Sequence, residues 1–142
     1  QLVKHKFLRW NEISRRYVDS EPEFYEPKEW RGRSADKKQG SEGVVSISGE
    51  TMRVASKASM WSVRNYRALL NAGVCPEQAR MVLPQSTMTE WYWSGSLDAF
   101  ADMCNLRCTD DTQLETRLAA NQICDSMKKL FPVSWFALRL EK

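Results

Sequence analysis

The chain has 142 residues, 42% of them hydrophobic and 27% charged, with 21 basic against 18 acidic side chains. That is the make-up of one soluble globular domain of common size, able to bury a core without staples. No apolar run approaches the roughly 20 residues that cross a bilayer, and a net charge of +3 is too small to argue for nucleic acid by itself, so neither a membrane nor a nucleic-acid partner is expected.

In chain order, residues 1–8 read as the end of a strand, with Leu2, Val3, Phe7 and Leu8 as its apolar members. Residues 17–30 hold Pro22, Phe24, Tyr25, Pro27 and Trp30, which suggests an extended, packed loop rather than a helix. Residues 31–44 are polar and carry Gly32, Gly40 and Gly43, so a mobile surface loop, equally able to serve as a lid, is expected there. A helix follows over about 50–72, with Val54, Ala58, Trp61 and Leu69 near helical spacing and Gly73 as its stop. Pro76 opens a short helix over 76–82 that Pro84 ends.

The aromatic run within 87–93 reads as a strand. A helix over 97–106 buries Leu97, Phe100 and Cys104. Asp110 or Asp111 caps a last long helix to Phe131, striped by Leu114, Leu118, Ile123, Met127 and Leu130, and Pro132 closes it. There are no internal repeats.

Cys75, Cys104, Cys108 and Cys124 form no C-x-x-C pair, and the single histidine, His5, is remote from them in sequence. No metal site is expected; the thiols read as small hydrophobes in a reducing cytoplasm. The opening at Gln1 is neither a signal nor a transit peptide, and a chain without an initial Met reads as processed, trimmed or partial.

The chemistry lies in the run from Lys4 to Tyr17. Lys4, Lys6, Arg9, Arg15 and Arg16 stand there against one acid, Glu12. A local basic cluster suggests an anionic ligand, most simply a phosphate, with a solvated helix face as the bland alternative. Arginine fits a phosphate or a pyrimidine carbonyl edge by paired hydrogen bonds. Glu12 can orient an arginine or accept from a sugar hydroxyl, and Asn11 can donate and accept at a ring edge.

This run resembles the signature of the flavin-dependent thymidylate synthases, the ThyX family: Arg-His-Arg, seven residues, then Ser, often ending in Asn-Glu-x-Ser-x-Arg-Tyr. His5, Asn11, Glu12, Ser14, Arg16 and Tyr17 match in type and spacing. Lys4 and Lys6 replace the two arginines of the triplet, keeping charge but not the planar fork. The resemblance continues through Gln1, Phe24-Tyr25-x-Pro27, the run from Ala79 through Arg80 to Pro84, Asn105-Leu106-Arg107 and Gln113-x-Glu115, in the family's order and over nearly the whole chain. Asp98 stands where the family has a flavin-contacting arginine, and the segment that family members carry before the signature does not precede Gln1 here.

The resemblance implies an α+β fold, a sheet flanked by helices, as a single catalytic domain over 1–142 that is partial at its N-terminus. It implies reductive methylation of deoxyuridine monophosphate (dUMP) to thymidylate, with FAD as relay and NADPH and methylenetetrahydrofolate as co-substrates, in a homotetramer with shared sites. Carried over by position, Arg107 is the catalytic residue facing the uracil. Gln1, Lys4, Glu12, Ser14, Arg15, Arg16 and Arg80 hold the nucleotide with it, and Lys4, His5, Lys6, Asn11 and Glu12 face the flavin. Each has a plainer reading: Arg80 and Arg107 as helix-end cations, Ser14 as a turn residue, and Trp61, Trp91, Tyr92 and Trp93 as core or interface. A nucleotide hydroxymethylase and a non-catalytic nucleotide-binding fragment are the competing functions.

Overall fold

A computed structural model describes residues 1–36 and 40–139. Among the described residues, four short strands and five α-helices follow one another: β1 (Arg9–Glu12), β2 (Arg31–Arg33), β3 (Ser41–Val44), α1 (Gly49–Asn71), α2 (Pro76–Ala79), β4 (Trp91–Ser94), α3 (Leu97–Arg107), α4 (Leu114–Leu130) and α5 (Pro132–Leu138). This is the expected α+β class, with the sheet reduced to two two-stranded ribbons, β1 with β4 and β2 with β3. Among the described residues no helix is long and apolar enough to cross a membrane. The chain divides into two compact units, each assembled from separated segments.

The first unit comprises the described residues of Gln1–Trp10, Arg31–Gly43 and Trp93–Lys142. Its core is built on α3, whose Ala99, Phe100, Ala101, Met103 and Cys104 are buried with Leu8, Ala120 of α4 and Trp135 of α5. Trp93 meets Phe100 edge to face, with centroids 5.8 Å apart. A Cβ at Gly95 would lie 2.5 Å from Leu8 Cδ2, so this bend tolerates no side chain without displacing Leu8. Leu97, Phe100 and Cys104 therefore face inward as the sequence suggested.

Other expectations in this unit are corrected. Residues 2–4 form a 3₁₀ turn, and the strand begins only at Arg9, after the turn that buries Leu8. The segment 31–44, expected as a loop, carries strands at both ends; its residues 37–39 lie outside the described residues. Gln113, not Asp110 or Asp111, occupies the N-cap of α4, and Asp110 instead pairs with Arg117 at 2.7 Å. On α4, Thr116 and Ala120 are the buried residues, whereas Leu118 and Leu130 face solvent, because the contact face of the helix runs one row away from the leucines. Pro132 ends α4 and at once begins α5, since its missing N–H and fixed φ suit a first helical position.

The second unit comprises Asn11–Trp30 and Val44–Tyr92. Ser48 caps α1 by accepting from the Thr51 amide at 3.2 Å. Gly73 stops the helix with φ +84°, and its amide and that of Val74 return to the carbonyls of Leu70 and Leu69. Only Tyr66 is buried on α1, its hydroxyl donating to the Val18 carbonyl at 3.4 Å. Val54, Ala58 and Trp61, which mark the helical spacing, are exposed. Residues 17–30 are extended as expected, tied down by the Phe24–Thr87 bridge and by the hydrogen bonds Tyr25 N to Ser86 O and Met88 N to Glu23 O. The helix expected over 76–82 is α2 followed by a 3₁₀ turn, Arg80–Val82.

Candidate functional site

In the first unit the candidate residues gather at the C-terminal end of α3. Arg107 is the last residue of that helix. The preceding carbonyl, Leu106, accepts from the hydroxyls of Thr109 and Thr112, each at 3.3 Å, which satisfies a helix-end acceptor and fixes where Arg107 departs. The Nε–H of Arg107 donates to His5 Nε2 at 3.1 Å. Among the described residues the terminal nitrogens of its guanidinium have no hydrogen bond, so the two-pronged edge that recognises a carbonyl or carboxylate stays free for a ligand.

His5 is placed by the turn before it. Its amide donates to the Leu2 carbonyl and its own carbonyl accepts from the Leu8 amide, each at 3.3 Å. Its pKa is pushed below the usual value by partial burial first, then by the Arg107 guanidinium; Asp102 opposes them. Lys4 and Lys6, on either side, are exposed, and Gln1 is half-buried. Two exposed ammonium groups bracketing a half-buried imidazole fit the pyrophosphate and ring edge of a dinucleotide, so this donor set suits a flavin dinucleotide.

In the second unit Ser14, Arg15 and Arg16 form a tight turn, with the Tyr17 amide donating to the Ser14 carbonyl at 3.0 Å. Ser14 Oγ accepts from Arg16 Nε at 3.1 Å, and the Arg16 guanidinium lies 5.1 Å from the Tyr17 ring centroid, so hydroxyl and ring orient this exposed cation together. Arg15 is different. Its guanidinium donates to the carbonyls of Ser20 and Glu21 and so closes the loop that follows. A cavity of about 450 Å³ beside it is lined by Glu21, Glu23 and Glu90 as well as by Arg15 itself, and the Glu21 carboxylate is paired with Arg67. Glu12 accepts from Thr89 Oγ1 at 2.7 Å, and exposed Arg80 donates to the Glu77 carbonyl at 3.3 Å. Asn11 is exposed, and no side-chain hydrogen bond is made by it among the described residues.

The structure thus joins His5 to Arg107 and Ser14 to Arg16. It also supplies partners that the sequence did not flag. Thr89 steadies Glu12, and the Thr109–Thr112 pair ends α3. Arg31 makes a two-point ion pair with Glu115, at 2.7 and 2.8 Å, while also donating to Ser41 Oγ at 2.7 Å. Only Glu115 had a signal, as half of the Gln113-x-Glu115 pair; its partner lies 84 positions away. Asp98 is exposed in the first turn of α3, its pKa lowered by a hydrogen bond from Ser96 and then by the Ala99 amide. The thiols of Cys104 and Cys108 are both pushed up, chiefly by burial, which leaves them poor nucleophiles.

Comparison with known proteins adds a second line of observation. The sequence profile of a family described as "Thymidylate synthase complementing protein" matches residues 1–133. The chain is 37% identical over 137 residues to a flavin-dependent thymidylate synthase of Thermus thermophilus, covering 96% of this chain and 50% of that protein. A flavin-dependent thymidylate synthase of Kosmotoga olearia is 32% identical over 139 residues, with coverage of 96% and 60%. The chain therefore spans about half the length of the curated relatives it matches. Among solved structures, the UMP/dUMP methylase PolB from Streptomyces cacaoi, bound with 5-Br dUMP, superposes with a TM-score of 0.80 at 29% identity, over 96% of this chain and 63% of that one.

Proposed function

We propose a function from one premise: the chain belongs to the thymidylate synthase complementing protein family. On that reading it forms the nucleotide-holding part of a flavin-dependent thymidylate synthase that converts dUMP to thymidylate with methylenetetrahydrofolate and NADPH. Support for the substrate class comes from the likeness to a methylase whose structure holds a brominated dUMP. The observation that carries the reading is Arg107, fixed at its Nε with its terminal nitrogens open at the end of a helix whose inner face is buried.

Methylation at C5 requires electron density at that carbon, and burial makes the Cys104 and Cys108 thiols poor nucleophiles for supplying it by covalent attack. Arg107 instead stabilises negative charge on the uracil carbonyl edge, as a preorganised donor does at a developing oxyanion. Ser14 and Arg16, already oriented by each other, hold the phosphate with Arg80. Arg15 contributes by closing the loop that carries its neighbours, and Glu12, fixed by Thr89, accepts from the sugar. Gln1 helps to fix the base. Lys4, His5, Lys6 and Asn11 stand on the flavin side with Glu12; when bound, the flavin supplies the reducing equivalents. Free thiols suit a reducing, cytoplasmic location.

A family-type homotetramer is supported by the exposed Val54 and Trp61, which share one side of α1 and which a partner would cover. A second reading takes residues 1–142 as a nucleotide-binding part without turnover of its own. Full-length protein is expected to purify yellow with a flavin spectrum that shifts on adding dUMP, whereas residues 1–142 alone release no tritium from C5-labelled dUMP. Colourless full-length protein indifferent to both ligands would end the synthase reading, and tritium release by the short chain would end the second. Product analysis separates methyl from hydroxymethyl transfer.

A further inference from the structure

We propose that His5 is a positioning residue for Arg107, its neutral imidazole accepting the Nε–H and thereby setting the plane of the guanidinium that faces the substrate. The proposal rests on the reading of Arg107 as the base-facing arginine, and it gives His5 a role distinct from a flavin contact.

The chemistry of the contact fixes the proton. A guanidinium has five N–H donors and no acceptor, so a 3.1 Å bond from Arg107 Nε requires a lone pair on His5 Nε2. The imidazole proton must then sit on Nδ1. A protonated ring would present N–H to N–H, losing the bond and setting two cations against each other. Bonding at Nε is informative in itself. It leaves both terminal nitrogens available, and it restrains rotation about the bonds that would otherwise let the fork swing. The helix end fixed by Thr109 and Thr112 holds the root of the side chain; His5 holds its middle.

The surroundings keep the ring neutral. Partial burial disfavours its charged form, the Arg107 guanidinium acts in the same direction, and Asp102 of α3 opposes them. Lys4 and Lys6, its neighbours in sequence, are exposed cations and give no support to an imidazolium. Acidification is therefore expected to release Arg107 and to lower turnover without displacing the phosphate-holding residues.

His5 is the sole histidine in the 142 residues, and its ring nitrogens report on the contact once their signal is assigned. Long-range ¹H–¹⁵N NMR of the full-length protein, with the signal identified by its loss in His5→Gln, is expected to show the Nδ1–H tautomer and a titration midpoint below the usual histidine value. In Arg107→Gln the midpoint is expected to rise. Steady-state kinetics should show His5→Ala lowering kcat by about tenfold to a hundredfold with little change in KM, and His5→Gln, whose amide oxygen also accepts, regaining most of that loss. A proton on Nε2 in the unmodified protein would overturn the pairing with no variant needed. So would a midpoint indifferent to Arg107→Gln, or equal defects in His5→Ala and His5→Gln. If the synthase reading alone is wrong, the NMR results stand while nucleotide and flavin binding fail.

Discussion

At the scale of single residues, the balance of charge around Arg107 decides what the site can do. Arg107→Lys keeps the cation but discards the fork and the Nε–H that His5 accepts. The expected result is a fall in kcat of about 10²–10³-fold, the usual loss when one donor to a developing oxyanion is removed, with dUMP affinity changed far less. Steady-state assays of kcat and KM on full-length protein check it. Stability carries a pH signature from the same contact. Because folding lowers the His5 pKa, the unfolded chain binds the proton more readily. Stability therefore falls as pH drops through the usual histidine value of 6.5 and levels off below the folded midpoint. His5 and Arg107 were each legible in the sequence, one from its place in a basic triplet and one from its Leu-Arg element. Their pairing was not, because it spans 102 positions and no local pattern encodes it.

Among the elements, α3 is the one on which the site most depends, since it carries Arg107 at its end and the core on its face. Met103 is fully buried there, with Ala120 and Trp135 in the same cluster. Met103→Ala is expected to cost about 2–5 kcal/mol through lost burial and a residual cavity, seen as a lower urea midpoint with unchanged slope. The sequence announced this helix well: the expected span 97–106 is nearly the observed one, and Leu97, Phe100 and Cys104 face the core. It announced α1 only in part. Ser48, Gly73 and the absence of proline mark its span, yet Val54 and Trp61 satisfy helical spacing while facing solvent. Periodicity reports that one side of a helix is apolar; it cannot report whether the same chain covers that side. The ribbon of β2 and β3 was missed because three glycines and several charges read as a loop, while its hold on α4 runs through the distant Arg31–Glu115 pair.

For the whole molecule, the exposed side of α1 makes a claim about assembly. Replacing Trp61 by Glu on full-length protein is expected to reduce the mass found by light scattering, while a tetramer of unchanged mass would place the subunit contact elsewhere. The division into two units was not legible in the sequence, since each unit draws on stretches that composition does not distinguish. The family was legible, because its matching elements are separated along the chain and keep their order, a coincidence that local composition does not produce. The four thiols are unequal in one respect that a bench worker can exploit. Cys75 alone is exposed, at the start of α2 and five positions before Arg80, whereas Cys104 is sealed in the core and Cys108 and Cys124 are half covered. A maleimide dye added briefly at neutral pH would therefore mark chiefly one place on the surface, close in sequence to a proposed phosphate contact, and its emission could follow nucleotide arrival without any engineered attachment point.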